Sequence, residues 1–308
     1  MARKRDNGPG GLLVVDKPAG FTSHDVVAKL RGMARTRRVG HAGTLDPMAT
    51  GVLVLGTERA TRLLGHLALT EKEYVATVRL GQETVTEDAE GEITGAKGAK
   101  GLERERVDAA VAALTGRIEQ VPSAVSAVKV DGKRAYARVR EGEEVELAAR
   151  PVTVSSFLVH DVREEAAEDG TPVTDLLVSV VCSSGTYVRA LARDLGAALG
   201  TGGHLTALRR TRVGPYGLDG AHTLAQLQER VDAEEPLPLL PLGQAAAAAF
   251  SRWDVDEEQA RRIGNGVQLR MPAAQFGPGP VAVFAPGEQF VALVEQRDGR
   301  ARSLAVFV

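Results

Sequence analysis

The sequence predicts an α+β protein in which a mixed or antiparallel sheet is flanked by helices, with a small β-rich domain at the C-terminus. Strand-like and helix-like segments intermix without the regular βαβ repeat of a parallel sheet, and no repeat period is found. Prolines at 236, 238 and 241 precede an alanine run, a compositional break that suits a domain junction. Within 308 residues we therefore expect a disordered basic tail at 1–10, a main domain at 11–240 and a small domain at 241–308.

The first third of the chain alternates strands, helices and turns. A β-type run at 12–15 ends at Pro18 and Gly20, and Thr22 or Ser23 can cap a helix over roughly 24–34 with an apolar stripe at helical spacing. A glycine-rich loop without clear periodicity follows at 39–51. Beyond it we expect a strand at 52–55, an amphipathic helix at 58–67, a strand at 74–80 and an exposed acidic loop at 83–100.

Later segments continue the mixture and end in short β runs. A short helix near 105–115 ends at Gly116, a residue typical of helix C-termini. We then expect strands at 125–130, 152–159 and 175–182, a helix at 187–199 and an extended segment at 205–213. Three β runs at 281–284, 290–294 and 304–307, separated by Pro-Gly and Asp-Gly turns, form the small C-terminal domain.

Composition excludes several classes of protein. Hydrophobic residues at 44% and charged residues at 25% are usual for a globular protein, which argues against a disordered chain. The single cysteine, Cys182, excludes an internal disulfide and a multi-cysteine metal site, and the six histidines lack the spacing of a helical zinc site. Neither a signal peptide nor an apolar membrane span is present. We expect a cytoplasmic protein without a metal or a membrane partner.

The formal net charge of −2 is a sum over segregated blocks. Residues 29–41 hold five Lys or Arg and no acid, residues 129–140 hold five against one Asp, and residues 195–218 hold three arginines and no acid. Such runs are often solvated faces. Three of them close to glycine-rich loops nevertheless favour a partner with a phosphate backbone.

One carboxylate stands out in the loop from Arg37 to Gly51. Asp46 lies among three glycines, between a basic helix and a buried strand. Pro47 biases Asp46 toward an extended backbone, and the glycines let a ligand approach closely. Catalysis is one interpretation of this carboxylate, and an ordinary Asp-Pro turn is the other.

A second cluster combines aromatic and basic residues where a predicted strand meets a helix. Tyr187 and Arg189 lie just after Gly185, so their side chains can enter a cleft. An Arg189 guanidinium next to Asp46 would lower the pKa of that carboxyl and orient it. Aromatic rings near positive charge also suit an unstacked nucleobase, for which Tyr74, Tyr136, Tyr187 and Tyr216 are candidates. A surface arginine and core tyrosines are the alternative.

Four motifs resemble the TruB family of tRNA pseudouridine synthases. They are Val15–Gly20, His41–Pro47, Lys72–Tyr74 and Gly185–Arg189, and they occur in family order within roughly residues 10–240. The resemblance implies a pseudouridine-synthase catalytic domain that isomerises the T-loop uridine at position 55 of tRNA, moving the glycosidic bond from N1 to C5 without a cofactor. It also implies that the C-terminal residues form a PUA-like RNA-binding domain.

The resemblance also implies roles for individual residues. Asp46 matches the catalytic aspartate, Arg189 the arginine that pairs with it, and Tyr187 a tyrosine proposed as a general base. Residues expected to bind the substrate are His41, Tyr74, Leu208, Lys17 and Arg209. Residues 120–150 correspond to an RNA-gripping thumb, although Pro122–Lys129 departs from the paired prolines and aromatic residue that many relatives carry.

Competing functions make different predictions. A protein that only binds or folds tRNA would use the same basic surfaces, and its function would survive loss of the Asp46 carboxylate. A carboxylate-pair glycosidase needs a second acid, and this sequence has none beside the Asp46 loop. A zinc deaminase needs paired cysteines, and this sequence has a single cysteine. The expected partner is the T-arm stem-loop of tRNA, with no obligatory protein partner and a monomeric chain.

Overall fold

A computed structural model describes residues 10–123, 129–130, 133–134, 147–272 and 275–308. Residues 1–9 of the tail expected at 1–10, and most of the thumb segment, lie outside the described residues. In the described part of the chain there are seven α-helices: α1 (Ser23–Met33), α2 (Leu64–Leu67), α3 (Arg104–Ala113), α4 (Val188–Leu199), α5 (Leu224–Asp232), α6 (Leu242–Ala249) and α7 (Glu257–Gly264). None of these helices is long and apolar enough to cross a membrane.

The strands form one large mixed sheet, one small sheet near the C-terminus and two short hairpins. Their bounds are β1 (Gly11–Lys17), β2 (Val39–His41), β3 (Thr50–Thr57), β4 (Lys72–Leu80), β5 (Glu83–Thr84), β6 (Ile93–Gly95), β7 (Gly116–Gln120), β8 (Lys129–Val130), β9 (Lys133–Arg134), β10 (Arg150–Ala166), β11 (Pro172–Cys182), β12 (Gly203–Val213), β13 (Tyr216–Gly217), β14 (His222–Thr223), β15 (Leu240–Pro241), β16 (Ser251–Asp254), β17 (Val281–Ala285), β18 (Gln289–Arg297) and β19 (Arg300–Val306). The predicted α+β class with a mixed sheet is confirmed.

Contacts divide the chain into two compact units. The first, called here the terminal unit, contains the chain up to residue 46, residues 52–69 and residues 213–308. The second, called the central unit, contains residues 47–51 and 70–212. The C-terminal residues therefore share a unit with the first strands, and a domain boundary near residue 240 stays a prediction.

The terminal unit buries both faces of β1 and β3. On one face Leu13 and Val15 pack with Val26 and Leu30 of α1. On the opposite face Leu12 packs in a second core that includes Val52, Ala245 and Phe284. Because successive side chains of a strand point to opposite faces, a continuous apolar run such as 12–15 needs a core on each side.

The C-terminal residues form a separate four-stranded sheet in the order β16-β17-β18-β19. Strand β16 runs parallel to β17, and the other neighbours are antiparallel. Helix α7 contributes Ala260 and Ile263 to the core of this sheet. The β-rich C-terminal region predicted from the turn-separated runs is confirmed.

The central unit is built on consecutive antiparallel strands. Strand β11 pairs with β4 on one side and β10 on the other, and β10 pairs with β7. Strand β4 alternates buried and half-buried side chains along its length, so one face carries the core. Helix α4 is buried over most of its length, and Gly196 lets it approach β12 closely, since a Cβ there would lie 2.2 Å from the carbonyl carbon of Gly202.

Three local predictions need correction. The glycine-rich loop contains strand β2, and the helix expected at 58–67 is a 3₁₀ segment, Glu58–Arg62, followed by the four-residue α2. The segment at 83–100 is not simply exposed, because it forms β5 and β6 and buries Asp88 and Ala99. Acidic composition misleads there because polar groups can be buried when they pair with one another. Of the strand expected at 125–130, only β8 lies within the described residues.

Candidate active site

Asp46 is half-buried and follows a residue that α1 holds in place. Ser23, the first residue of α1, is 1% exposed. Its Oγ accepts a hydrogen bond from the Leu45 backbone N–H at 2.9 Å and donates to the Leu45 carbonyl at 3.2 Å. The capping box between Thr22 and Asp25 fixes the start of the same helix. The backbone entering Asp46 is therefore anchored to a rigid element.

His41 ends strand β2 in the same unit. It lies opposite Leu55 of β3, and its ring is edge-on to that of His24 with 5.7 Å between the centroids. Gly43 follows in the left-handed region at φ 93°, which turns the chain toward Asp46 at little steric cost. His41 and Asp46 thus lie on one short loop of the terminal unit.

Lys17 is fully buried, although the sequence predicts that it contacts RNA. Its Nζ donates to the carbonyls of Pro18 at 3.0 Å and Phe21 at 2.6 Å. These bonds close the turn between β1 and α1. The structure shows this turn-stabilising role, and contact with RNA stays a prediction.

Tyr74 lies on the buried face of β4 in the central unit. It is 7% exposed and opposite Val180 of β11. Two positions earlier Lys72 lies opposite Cys182, and its Nζ donates to the Thr70 carbonyl at 2.8 Å. The pKa of Lys72 is lowered to about 8, mainly because the ammonium group is buried and secondarily because the positive charge of Arg210 is nearby. Burial raises the pKa of the Cys182 thiol to about 11.

Leu208 and Arg209 lie on β12, the strand next to β4. Leu208 is buried, and its expected contact with the substrate stays a prediction. The half-buried Arg209 donates from Nη1 to Thr50 Oγ1 at 3.2 Å. The following Arg210 is 1% exposed and lies opposite Gly51, where a Cβ would lie 2.2 Å from the Arg210 carbonyl oxygen.

Arg189 is buried on the first turn of α4. Its Nη1 donates to the Thr86 carbonyl at 2.8 Å, and its Nε lies 3.6 Å from Asp88 Oδ2. An ion pair between Arg189 and Asp46 stays a prediction. One helical turn later, Arg193 donates to Glu87 Oε1 at 2.7 Å. Two arginines of one helix therefore hold the segment between β5 and β6.

Asp88 is a candidate site residue that the sequence analysis missed. It is 3% exposed, and its Oδ1 accepts hydrogen bonds from Thr86 Oγ1 at 2.5 Å and from the Glu90 backbone N–H at 3.1 Å. Both carboxylate oxygens thus face donors or the Arg189 guanidinium. In the sequence, Asp88 differs from the other acidic residues of this run only in having Thr86 two positions earlier. The sequence therefore gives little indication that Asp88 is buried next to Arg189.

Tyr187 is half-buried at the N-cap of α4. Its backbone is held by Gln120, a residue that the sequence analysis did not select. Tyr216, by contrast, is a core residue, because it is buried and its hydroxyl donates to the Ala245 carbonyl at 2.9 Å. Tyr136 lies outside the described residues. In the part of the chain that the structure describes, no cluster of His, Cys, Asp or Glu is arranged to hold a metal ion.

Three sequence profiles match successive parts of the chain. The N-terminal domain of TruB family pseudouridylate synthases matches residues 31–188, the C-terminal domain of tRNA pseudouridylate synthase B matches 189–242, and the C-terminus of tRNA pseudouridine synthase II matches 250–308. Fold and motifs thus define a pseudouridine synthase, and the chain belongs to the TruB family.

Curated relatives narrow this class further. The tRNA pseudouridine synthase B of Streptomyces griseus subsp. griseus is 71% identical over 299 residues, covering 97% of this chain and 97% of that protein. The protein of the same name from Streptomyces avermitilis is 68% identical with the same coverage, and that from Thermobifida fusca is 55% identical over 96% of this chain and 98% of its own. Within the family, the chain belongs with the tRNA pseudouridine synthase B proteins.

Solved structures share the fold. A Cbf5-Nop10-Gar1 complex contains a chain that matches with a TM-score of 0.72 and 24% identity, covering 97% of this chain and 85% of that chain. An H/ACA RNP bound to a substrate RNA containing 2'-deoxyuridine matches with a TM-score of 0.70 and 23% identity, covering 98% of this chain and 86% of that chain. The expected pseudouridine-synthase fold is thereby confirmed.

Proposed function

We propose that this protein isomerises the T-loop uridine at position 55 of tRNA to pseudouridine. The observation that carries the proposal is the similarity, along nearly the whole chain, to relatives named tRNA pseudouridine synthase B. The motif containing Asp46 and the buried Arg189 supply the groups that this reaction needs. We further propose that it acts in the cytoplasm as a monomer on the T-arm, with residues 241–308 as a PUA-like RNA-binding domain.

The reaction exchanges one glycosidic bond for another on the same base. The bond between N1 and C1′ breaks, the base turns over, a bond forms between C5 and C1′, and the proton on C5 is lost while N1 gains one. Asp46 acts at C1′ or assists formation of a glycal, and Tyr187 accepts the C5 proton. Because the target base must first leave its stack, Tyr74 and Leu208 provide apolar surface that offsets part of the unstacking cost of a few kcal/mol.

Arg189 would orient the Asp46 carboxylate in the proposed mechanism. The Arg189 guanidinium is held by Asp88 and the Thr86 carbonyl, so it is fixed before substrate arrives. In a pocket from which water is excluded, such fixed charges act more strongly than in water. His41 and Arg209 would each bind the extruded nucleotide.

Release of tritium from tRNA labelled at uridine C5 tests the proposed function. The wild-type protein should release tritium, and Asp46→Asn should abolish release while still binding tRNA. Asp161→Asn is a matched control, because Asp161 is also half-buried but pairs with Arg163 on β10. Undiminished release by Asp46→Asn would instead favour the second candidate, a protein that only binds or folds tRNA.

A further inference from the structure

Gln120, the last residue of β7, makes a paired hydrogen bond with the backbone of Tyr187. Its side-chain Oε1 accepts from the Tyr187 N–H at 2.8 Å, and its Nε2 donates to the Tyr187 carbonyl at 3.1 Å. Gln120 is 2% exposed, and the two residues are 67 positions apart in the chain. The side-chain amide of Gln120 therefore binds both backbone groups of the N-cap residue of α4, as the backbone of a neighbouring strand would.

The residues next to Tyr187 in the chain do not by themselves fix the backbone at the start of α4. The Tyr187 side chain makes no capping hydrogen bond to the first turn of α4, and Gly185, two residues earlier, has φ 88°. Within the helix, the Tyr187 carbonyl accepts from the Leu191 N–H at 3.1 Å. The residue after Gln120 is held to the same helix, because Arg193 Nη2 donates to the Val121 carbonyl at 2.8 Å. The end of β7 and the start of α4 are thus joined at two successive residues.

We propose that Gln120 is a positioning residue for Tyr187. By fixing both backbone groups of Tyr187, Gln120 sets the direction in which the Cα–Cβ bond projects the phenol. This role rests on the proposed function, in which Tyr187 accepts the C5 proton. A misplacement of about 1 Å at a reacting group lowers a rate on the order of 100-fold, so a side chain that prevents it acts on the chemical step.

Substitution by glutamate separates positioning from simple structural support. Gln120→Glu keeps an acceptor for the Tyr187 N–H, but its ionised second oxygen faces the Tyr187 carbonyl and repels it. When protonated, that oxygen becomes an O–H donor and restores the pair. Gln120→Met has similar length and neither hydrogen bond. Gln82→Met is the matched control, because Gln82 is 3% exposed and its Nε2 donates to Asp169 at 3.0 Å.

The experiment measures single-turnover tritium release with enzyme in excess over tRNA labelled at C5, from pH 5.5 to 8.5, together with tRNA binding and Tm. We expect Gln120→Met to lose on the order of 10- to 100-fold in rate at every pH with tRNA binding nearly unchanged. The rate of Gln120→Glu relative to wild type should rise as pH falls. Gln82→Met should lower Tm and leave the rate unchanged.

The outcomes are distinguishable. Suppose that the wild type is active. The positioning role alone is then overturned if Gln120→Met has the wild-type rate, or if Gln120→Glu has the same pH profile as the wild type. Loss of binding and Tm in proportion to rate, without the pH-dependent rescue in Gln120→Glu, also overturns it. A wild-type protein that releases no tritium overturns the proposed function, and this role with it.

Discussion

Lys72 shows how burial changes the chemistry of a single residue. Its ammonium group lies on a strand face beside another buried cation, Arg210, and only 7% of Lys72 is exposed. Desolvation disfavours the charged form, which is why the pKa falls to about 8 from an ordinary value of 10.5. The folded protein therefore releases this proton at a lower pH than the unfolded chain.

We predict that Lys72 titrates near pH 8, which ¹³C NMR of the lysine Cε resonances can measure. Between about pH 8 and 10.5 the unfolded chain binds more protons at this residue, so the contribution of Lys72 to the free energy of unfolding should rise with pH. The Lys72→Met variant assigns the resonance by its loss. If all lysine resonances titrated near 10.5, the lowered pKa of Lys72 would be contradicted.

Asp88 is the second residue whose importance comes from burial. We predict that Asp88→Asn lowers the free energy of unfolding by about 3 kcal/mol, because it removes a buried negative charge that faces the buried Arg189 guanidinium. It should also slow tritium release. Denaturant unfolding measures the first effect, with Asp175→Asn as control: Asp175 pairs with Arg79 at 2.7 Å in a more exposed setting, and its loss should cost about 1 kcal/mol or less. Equal losses in the two variants would argue against a special role for Asp88.

At the scale of elements, close approach of backbone decides which glycines are required. Helix α4 passes so near β12 that a Cβ at Gly196 would lie 2.2 Å from the carbonyl carbon of Gly202 and 2.3 Å from the Gly203 nitrogen. Both are backbone atoms, so the helix itself would have to shift. Because Tyr187 is the N-cap of α4 and Arg189 lies on its first turn, such a shift would move both candidate site residues.

We predict that Gly196→Ala lowers the free energy of unfolding by about 3 kcal/mol and also slows tritium release. Gly32→Ala in α1 is the control, because among the described residues no atom outside its chain neighbours and its own helix backbone lies within 4 Å of its Cβ position. That substitution should instead stabilise the protein by up to about 1 kcal/mol, since alanine favours helix over glycine. Thermal unfolding of both variants measures the difference, and a neutral Gly196→Ala would mean that α4 can shift freely.

At the scale of the whole molecule, burial distinguishes among the three basic blocks. In the first block Lys29, Arg31, Arg35, Arg37 and Arg38 are all exposed. In the third, Arg210 is buried and Arg212 pairs with Glu71 and Glu73. The side chains of the second lie outside the described residues. Of the two blocks whose side chains the structure describes, the first is therefore the more exposed to phosphates.

We predict that tRNA affinity falls steeply as salt rises, because bound phosphates release counterions. Neutralising two exposed positions of the first block, in Arg35→Gln/Arg37→Gln, should reduce the slope of log affinity against log salt by about 2. Arg106→Gln/Arg163→Gln removes two exposed charges elsewhere and should leave the slope unchanged. Filter binding at several salt concentrations measures both, and affinity insensitive to salt would contradict an electrostatic RNA surface.

The sequence by itself determined the α+β class, most strand and helix positions, the β-rich C-terminal region and the TruB family. Local periodicity carries this information because it reports which face of an element is apolar. Motif order carried the candidate residues Asp46, Tyr187 and Arg189. The prediction from composition was wrong at 83–100, where acidic residues indicated an exposed loop and the structure buries Asp88.

Only the tertiary structure decided which polar groups support those candidates. Ser23 binds the backbone of Leu45, next to Asp46, across 22 positions of sequence. Gln120 binds Tyr187 across 67 positions, and Asp88 faces Arg189 across 101 positions. A buried polar side chain is stable only when its hydrogen-bonding groups meet partners, and partners at such separations are chosen by the packing of strands and helices. For that physical reason local sequence patterns could not reveal them.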